Sequence, residues 1–588
     1  MMTFERDQQI LSDTEEDMRQ QAEGTCEHSE ICGRDALKNE TKCILHLEDP
    51  DKSKDAFDLA LDKHLEKQGA DFEKMVFPTG RKFSGETFES LSIGDAVFYG
   101  PLKFLECTFE GSIYAPRATL KGEFVVNGCE VEGWSLFRDA VFEGVADFRV
   151  SKLVQPDFNY ATFEERAEFI ETDFSGYDFA LATFEDRAEF KGATFRHGGT
   201  QFDRTEFEGN AWFTDATFED FAFFSAEFSG EALFGGSKFK EGASFQGTEF
   251  SQKASFYRAV FEESVSFEDS RFEGNAGFVE ATFQEGGDFT DTDICRADFS
   301  QAKFNGDTVF YGAFEPTGKS SFEHACFDEA QVQGSLLIVG KGQARRPFET
   351  GSASFQSVNQ GAGATLRFRH ADLSRCRFRN TNLLNPEFVG VKWYDEAGQE
   401  GWVSGEWFDR VGLYDEIAAR NNEPSPESRV QEQEDVSWPE IERLYRQLKK
   451  NYEERGDFPR AGDFHIGEKE ARRRNEKRWG PWFLLTAYRY LSIYGERPLP
   501  AFIWIVALIV GCALGYVLMD ASTGAMTLSS IRVDWIQALV LSGEATMFPV
   551  RTAGFEETGP QALNLVQRVF SPILIALLAL ALRQRVKR

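Results

Sequence analysis

The sequence predicts a mainly β chain, a four-sided solenoid of very short strands, followed by a short α-helical hairpin and two transmembrane helices. Three observations predict it. Phe accounts for 59 of 588 residues, about a tenth of the chain. Through the middle of the chain these Phe recur in alternating steps of six and five. Beyond residue 497 a run of 22 residues carries no charge.

From Phe228 the aromatic positions are Phe234, Phe239, Phe245, Phe250, Phe256, Phe261, Phe267, Phe272, Phe278, Phe283 and Phe289, a period of eleven residues. The same register starts at Phe72, Phe77, Phe83 and Phe88, and becomes strict fives at Phe368, Leu373, Phe378, Leu383 and Phe388. An apolar seam on a helix needs steps of three and four, so helix fails this spacing. Two positions before nearly every Phe stands a small residue, as at Ala243, Ala254, Ala276 and Ala281. Side chains two apart on extended backbone share a face. Each unit therefore reads as a short strand that points one large and one small group inward, then turns at a corner of Gly, Asp, Glu, Ser or Asn. Four such sides close a coil, and a fixed repeat of coils is a solenoid. The rings hold it together, because a coil has no other apolar surface to bury.

The stretch "ADLSRCRFRNTNLLNPEF", residues 371–388, resembles pentapeptide repeats, whose motif is a small residue, a polar residue and a central Leu or Phe. The resemblance implies a right-handed quadrilateral β-helix across residues 72–394. The Phe-rich middle departs from the motif by an extra residue at every second corner, which gives about 22 rather than 20 residues per coil. Some fourteen coils at ~4.8 Å each make a rod on the order of 65 to 70 Å long. Residues 333–347, "QGSLLIVGKGQARRP", break the register and are expected to loop out. They lack the Gly spacing of a phosphate loop and a hydroxyl residue after Lys341.

Residues 1–71 form an acidic N-terminal arm, in which Cys26, Cys32, Cys43 and His46 are separated by five, ten and two residues. Three thiolates and an imidazole satisfy tetrahedral zinc, with His28 as a substitute ligand. With all four positions filled by protein, such a zinc is structural. The alternative is a set of thiols in a flexible arm. Nine cysteines are too few and too scattered for a disulfide framework, so a reducing compartment is expected. The first twenty residues are charged and hold no apolar core, so no cleavable secretory signal is expected.

After the solenoid, residues 395–437 are rich in Gly, Pro, Ser and acidic groups and read as a flexible linker. Residues 438–497 read as a helical hairpin and an interfacial helix. Ser437 and Glu440 form a capping box, Pro439 sits in the first turn, and Ile441, Leu444, Tyr445, Leu448 and Tyr452 follow at helical spacing. Gly456 and Asp457 make the turn, and a second helix from about Pro459 turns Ala461, Phe464 and Ala471 inward. "LYRQLKKNYEERGDFPRAGDF" is similar to a single tetratricopeptide-like unit, which implies a coupling role. Trp479, Trp482, Phe483, Tyr488, Tyr490 and Tyr494 mark an interfacial stretch.

Residues 498–588 read as a membrane hairpin. The charge-free run 498–519 is long enough to cross ~30 Å of hydrocarbon. A second span covers about 560–582, with Arg568 near one end. Arg472, Arg473, Arg474, Lys477, Arg478, Arg489 and Arg497 precede the first span, and Arg583, Arg585, Lys587 and Arg588 follow the second. By the positive-inside rule both termini and the solenoid are cytoplasmic, in a multi-pass protein of the cell membrane. The basic cluster also suits anionic lipid headgroups. Between the spans, residues 533–550 are apolar and short, placed where a re-entrant segment would lie. Helix, half-helix, helix resembles a two-span pore-loop ion channel. After Thr546, however, come Met547, Phe548 and Pro549 rather than a Thr-Val-Gly-Tyr-Gly carbonyl ladder. The alternative for 533–550 is an amphipathic helix on the outer leaflet.

The chain has 64 Lys and Arg against 97 Asp and Glu, a net charge of -33. That excludes an ordinary duplex-binding protein and makes nucleic acid an unfavoured partner. Such carboxylates also keep a protein hydrated in a high-salt cytoplasm. There is no HExxH, no GxSxG and no Rossmann glycine pattern, so the chain reads as a non-enzyme. His197, His324 and His370 have no metal-like neighbours in sequence, and Glu164, Glu165, Glu185 and Asp186 read as solvated corners. The expected function is a membrane-anchored scaffold that presents an acidic cytoplasmic β-helix to an unidentified protein partner. The alternatives are a two-span ion channel with a regulatory solenoid and, less favoured, a DNA-mimic β-helix as in some proteins with these repeats. A homo-oligomer, dimer or tetramer, suits either of the first two.

Overall fold

Most strands of the solenoid are two residues long, too short to stand alone, and are held by parallel pairing with the coils on either side. The computed structural model describes residues 22–28, 34–37, 40–176, 178–196, 200–314, 322–342, 346–395, 410–421, 437–522, 531–547 and 558–586. These fall into two compact units, one within Met1–Leu373 and Glu387–Lys392, the other within Ser374–Pro386 and Trp393–Arg588.

In the first unit Val97, Leu102, Thr108 and Ile113 pair with Val76, Arg81, Thr87 and Leu91, so a coil has four sides and closes after 21 or 22 residues. Later offsets are 21 for Thr183 on Thr162, 22 for Val260 on Lys238 and 23 for Thr217 on Thr194. Where the sequence reaches strict fives the offset is 20, Phe388 on Phe368. The extra residue per half-coil is absorbed at corners while the ladder stays in step. About 14 such turns are stacked.

Phe fills the interior as four columns. Phe207, Phe213, Phe218 and Phe224 occupy the four sides of one coil and are all buried. Within the coil the rings meet edge to face, Phe213 on Phe224 at 5.7 Å and 88°. Between coils they stack nearly parallel, Phe190 on Phe213 at 4.6 Å and 3°. Both are favoured arrangements of ring quadrupoles. The small inward residue has its own column, Ala167, Ala188, Ala211, Ala232, Ala254 and Ala276, each buried and paired with the next. Tight corners place Asp95, Arg117, Asp139 and Tyr160 one above another in the left-handed region, with φ from 54° to 61°.

The structure corrects one register reading. Ser335–Val339 is a strand rather than a loop, paired with Thr308–Tyr311 and Thr365–Arg369, and Leu336 and Ile338 are fully buried. Aliphatic residues replace Phe there, so the aromatic period passed over it. The coil widens elsewhere: Arg296 pairs with His324, 28 residues on, and the extra residues fall between Tyr311 and His324.

The N-terminal arm is folded from Ala22 onward in its described parts. An antiparallel pair, β1 (Ala22–Thr25) and β2 (Asp35–Leu37), precedes helix α1 (Lys54–Gln68). Ser53 caps α1 by accepting from Ala56 N at 3.4 Å. Phe57, Ala60, Leu61 and His64 form its buried face at helical spacing. The Phe57 ring meets Phe77 of the first coil at 5.2 Å, and Val76 N donates to Leu45 O at 2.9 Å. The cap thereby closes the end of the ring stack.

The second unit is helical. Part of the stretch expected as a linker is ordered: α2 (Tyr414–Asn421) follows Arg410, whose buried guanidinium is held by both Glu416 oxygens, at 2.8 and 2.6 Å. Tyr445 OH also donates to Glu416. A buried ion pair is kept by this full set of hydrogen bonds, which composition alone does not reveal. Residues 396–409 and 422–436 lie outside the described residues. Helices α3 (Trp438–Glu454) and α4 (Phe458–Asn475) form the expected hairpin, with Glu440 accepting from Ser437 N at 3.4 Å and Gly456 at φ 79° in the turn. Ile441, Leu444, Tyr445, Leu448, Tyr452, Ala461, Phe464 and Ala471 are all buried. Asn451 Nδ2 on α3 holds Leu383, Leu384 and Pro386 carbonyls at 2.8 to 3.1 Å, which fastens residues 374–386 in this unit. Helices α5 (Trp479–Ser492), α6 (Pro498–Ser522), α7 (Ile531–Met547) and α8 (Thr558–Val586) follow.

Candidate functional site

The N-terminal cap brings together three of the four residues expected to bind metal. Cys26 follows β1, while Cys43 and His46 lie on one tight turn. All three are at most 2% exposed. His46 Nδ1 stands 3.3 Å from Cys43 Sγ and 3.7 Å from Cys26 Sγ. Their ligand atoms lie within 4.8 Å of one another, and the triad can hold a metal ion. His46 Nε2 faces the Glu73 carbonyl at 3.3 Å, and since a carbonyl only accepts, Nε2 carries the proton and Nδ1 presents a lone pair to the sulfurs. Cys43 N donates to Cys26 Sγ at 3.3 Å. His28 is half-buried, its ring centroid 5.0 Å from that of His46, and burial lowers its pKa. Cys32 lies outside the described residues. Lys52 donates to Leu45 O and Leu47 O from a buried position, and burial pushes its pKa down to about 7.

The outer faces of the solenoid carry the charge. Glu164, Glu165, Glu185 and Asp186 are exposed corners. A shallow groove of about 430 Å³ runs past Glu165, Arg166, Asp186, Arg187 and Asn210. Its two arginines are paired with a neighbouring column of carboxylates, Arg166 with Glu168 at 2.6 Å and Arg187 with Glu189 at 2.7 Å. The column continues in Asp147, paired with Arg149 at 2.7 Å. Burial works against its charge, yet Arg149 and Asn127 hold its carboxyl below the ordinary range. His324 Nδ1 pairs with Ser352 Oγ at 2.9 Å, and His197 lies outside the described residues.

Residues 202–249, 223–271 and 245–293 each match the family model described as pentapeptide repeats in nine copies. These coils are pentapeptide repeats. None of the curated proteins and none of the solved structures matches the chain. The pentapeptide repeats are of a Phe-rich kind, and among the described residues their columns of rings fill the interior of the coils.

After the pentapeptide repeats, α6 and α8 are long and apolar enough to cross a membrane, over Pro498–Leu518 and Ala562–Gln584. The short α7 packs against both, which also pack on each other. Ser542 Oγ donates to Ile509 O at 2.8 Å, eleven residues beyond Pro498. Gln567 Nε2 on α8 donates to Ser542 Oγ at 2.6 Å, and Tyr516 OH on α6 donates to Gln567 Oε1 at 2.9 Å. Ser542, Thr546 and Gln567 are fully buried. Ser542 and Thr546 thus face α6 and α8, while Gln537 and Glu544 are exposed; residues 548–550 lie outside the described residues. Sequence reading missed this node, although Ser542 and Thr546, four apart in an apolar stretch, were its signal. Ahead of the spans, α5 leaves Trp479, Phe483, Leu484 and Tyr490 exposed, and Glu470 ties its end to α4 through Arg489 at 3.0 Å and Tyr494 OH at 3.0 Å.

Proposed function

We propose that the chain is a non-enzymatic scaffold fixed in a membrane by α6 and α8, with the pentapeptide-repeat solenoid and both termini on the cytoplasmic side. The observation that carries this reading is the closed Phe interior: a solenoid with no room inside its coils works through its surface, and that surface is acidic, four-sided and repetitive. The basic residues around Arg472–Arg474 and beyond Leu582 supply the orientation, and the exposed rings of α5 suit a membrane interface. A protein partner with basic groups at the spacing of the coils fits such faces. The test combines two measurements on the full-length protein. Protease added from the cytoplasmic side should remove the solenoid, and proximity labelling in cells should lose a defined neighbour when Glu164, Glu165, Glu185 and Asp186 are changed to Lys. A solenoid protected from that protease, or labelling indifferent to the charge reversal, defeats the reading.

The seating of α7 favours a second reading, a two-span channel with the solenoid as its regulatory part. Ser542 reaches Ile509 near the middle of the first candidate span, which supports a re-entrant α7. A tetrameric mass in detergent together with ion current in planar bilayers would establish conduction. A silent bilayer and a monomeric or dimeric mass would leave the scaffold alone.

A further inference from the structure

We propose that Cys26, Cys43 and His46 bind a zinc ion, and that this ion clamps the N-terminal cap onto the first coil of the solenoid. Tetrahedral zinc, with bonds of ~2.3 Å to sulfur and ~2.0 Å to nitrogen, holds its sulfur and nitrogen ligands about 3.5 Å apart. The two sulfur-to-nitrogen distances here, 3.3 and 3.7 Å, bracket that value. The chemistry of the donors agrees. Two buried sulfurs converge on one imidazole Nδ1, and thiolates and imidazole are the donors that zinc takes. The second layer is in place as well: the Glu73 carbonyl fixes the imidazole tautomer, and Cys43 N donates to the Cys26 sulfur. On binding, both thiol protons leave to solvent, and the two thiolates neutralise the ion.

The clamp follows from where the ligands sit. Cys26 belongs to the β1 arm, while Cys43 and His46 flank Leu45, whose carbonyl accepts from Val76 N in the first coil. His46 reaches the same coil through Glu73. An ion shared by these three residues therefore joins the arm, the turn and the first coil. Solenoid ends need such closure, because an open last coil exposes unpaired backbone and, here, the faces of Phe72 and Phe77.

The full-length protein, purified in detergent from zinc-supplemented cells, should carry about one zinc per chain. Cys43→Ser and His46→Ala should each lower zinc retention at least about tenfold, whereas Cys107→Ser, a buried thiol of the solenoid, should leave it unchanged. Should either variant misfold, the wild-type protein still decides: after chelation, added cobalt should give the visible bands of thiolate-bound tetrahedral cobalt. Zinc well below one equivalent with no cobalt spectrum, or full zinc in Cys43→Ser, overturns the site. For the clamp, chelation should speed hydrogen exchange of amides between Phe72 and Tyr99 and leave those beyond Ala211 as they were. Metal that is bound and removable with no change in that exchange overturns the clamp and leaves the site standing.

Discussion

Replacing Phe213 with Ala tests the ring stack at its centre. Phe213 is fully buried, stacked on Phe190 at 4.6 Å and on Phe234 at 4.8 Å, with edges against Phe202 at 5.5 Å and Phe224 at 5.7 Å. Phe to Ala in a core costs about 3 to 5 kcal/mol, and the cost rises when the cavity cannot collapse. Rings above and below are held at coil spacing by the backbone ladder, so this cavity stays open and the expected loss is about 4 kcal/mol. Solenoid stability is a sum of nearest-neighbour terms, so the loss should be local. In native-state hydrogen exchange of the full-length protein, amides of the coils holding Phe190, Phe213 and Phe234 should exchange about a thousandfold faster, at 1.4 kcal/mol per tenfold. Coils around Phe142 should change far less. Phe213→Leu, which keeps an apolar filling, should cost about 1.5 kcal/mol or less. An Ala variant within about 0.5 kcal/mol of the parent, or an acceleration spread evenly over the solenoid, would refute the stacked core.

Three other outcomes are expected. Val150 holds φ 56° at an exposed corner, a costly conformation for a β-branched residue, so Val150→Gly should gain about 0.5 to 1 kcal/mol in denaturant unfolding; a loss would count against that corner. Burial tends to raise the Glu468 carboxyl, but His465, Lys469, Lys449 and Arg446 together bring it down to about 2. A depressed carboxylate stabilises the fold above its unfolded value near 4.5 and loses that contribution as pH falls toward 2. Glu468→Gln should therefore cost about 1 to 2 kcal/mol at neutral pH, after solvent screening, and flatten the acid limb of stability below pH 4.5; an unchanged limb would exclude it. Gln567→Ala removes the acceptor of Tyr516 OH and a donor to Ser542 Oγ, so the thermal midpoint in detergent should fall by an amount equivalent to about 1 kcal/mol, with a rise contradicting the polar node.

The solenoid was legible because one residue type carried its period. Phe marked the inward face of each side, Ala marked the second inward position, and the extra corner residue forecast offsets near 22, against observed values of 21 to 23 over most of the stack. The helical hairpin was legible for the same reason: a capping box at Ser437 and an apolar stripe from Ile441 to Tyr452 coincide. What escaped was held by irregular contacts. Ser335–Val339 keeps the strand pattern with Leu and Ile, so a register tuned to rings lost it. The order of α2 rests on Arg410 and Glu416, a buried pair in an otherwise polar stretch. At the metal triad, spacing supplied the ligands Cys26, Cys43 and His46, but the Glu73 carbonyl that orients the imidazole comes from a distant turn and has no side-chain signature.

Because the stack is periodic and each layer touches only its neighbours, its length is editable in whole steps. Excising residues 211–231 would join Asn210 to Ala232, which already occupies the same place one layer on, and leave every remaining ladder in phase. Gene duplications of 21 to 23 codons would lengthen the protein by about 4.8 Å at a time. Any other insertion length must bulge outward at a bend. Evolution can thus set the length of the solenoid like a ruler, one layer at a time, while leaving the N-terminal cap untouched.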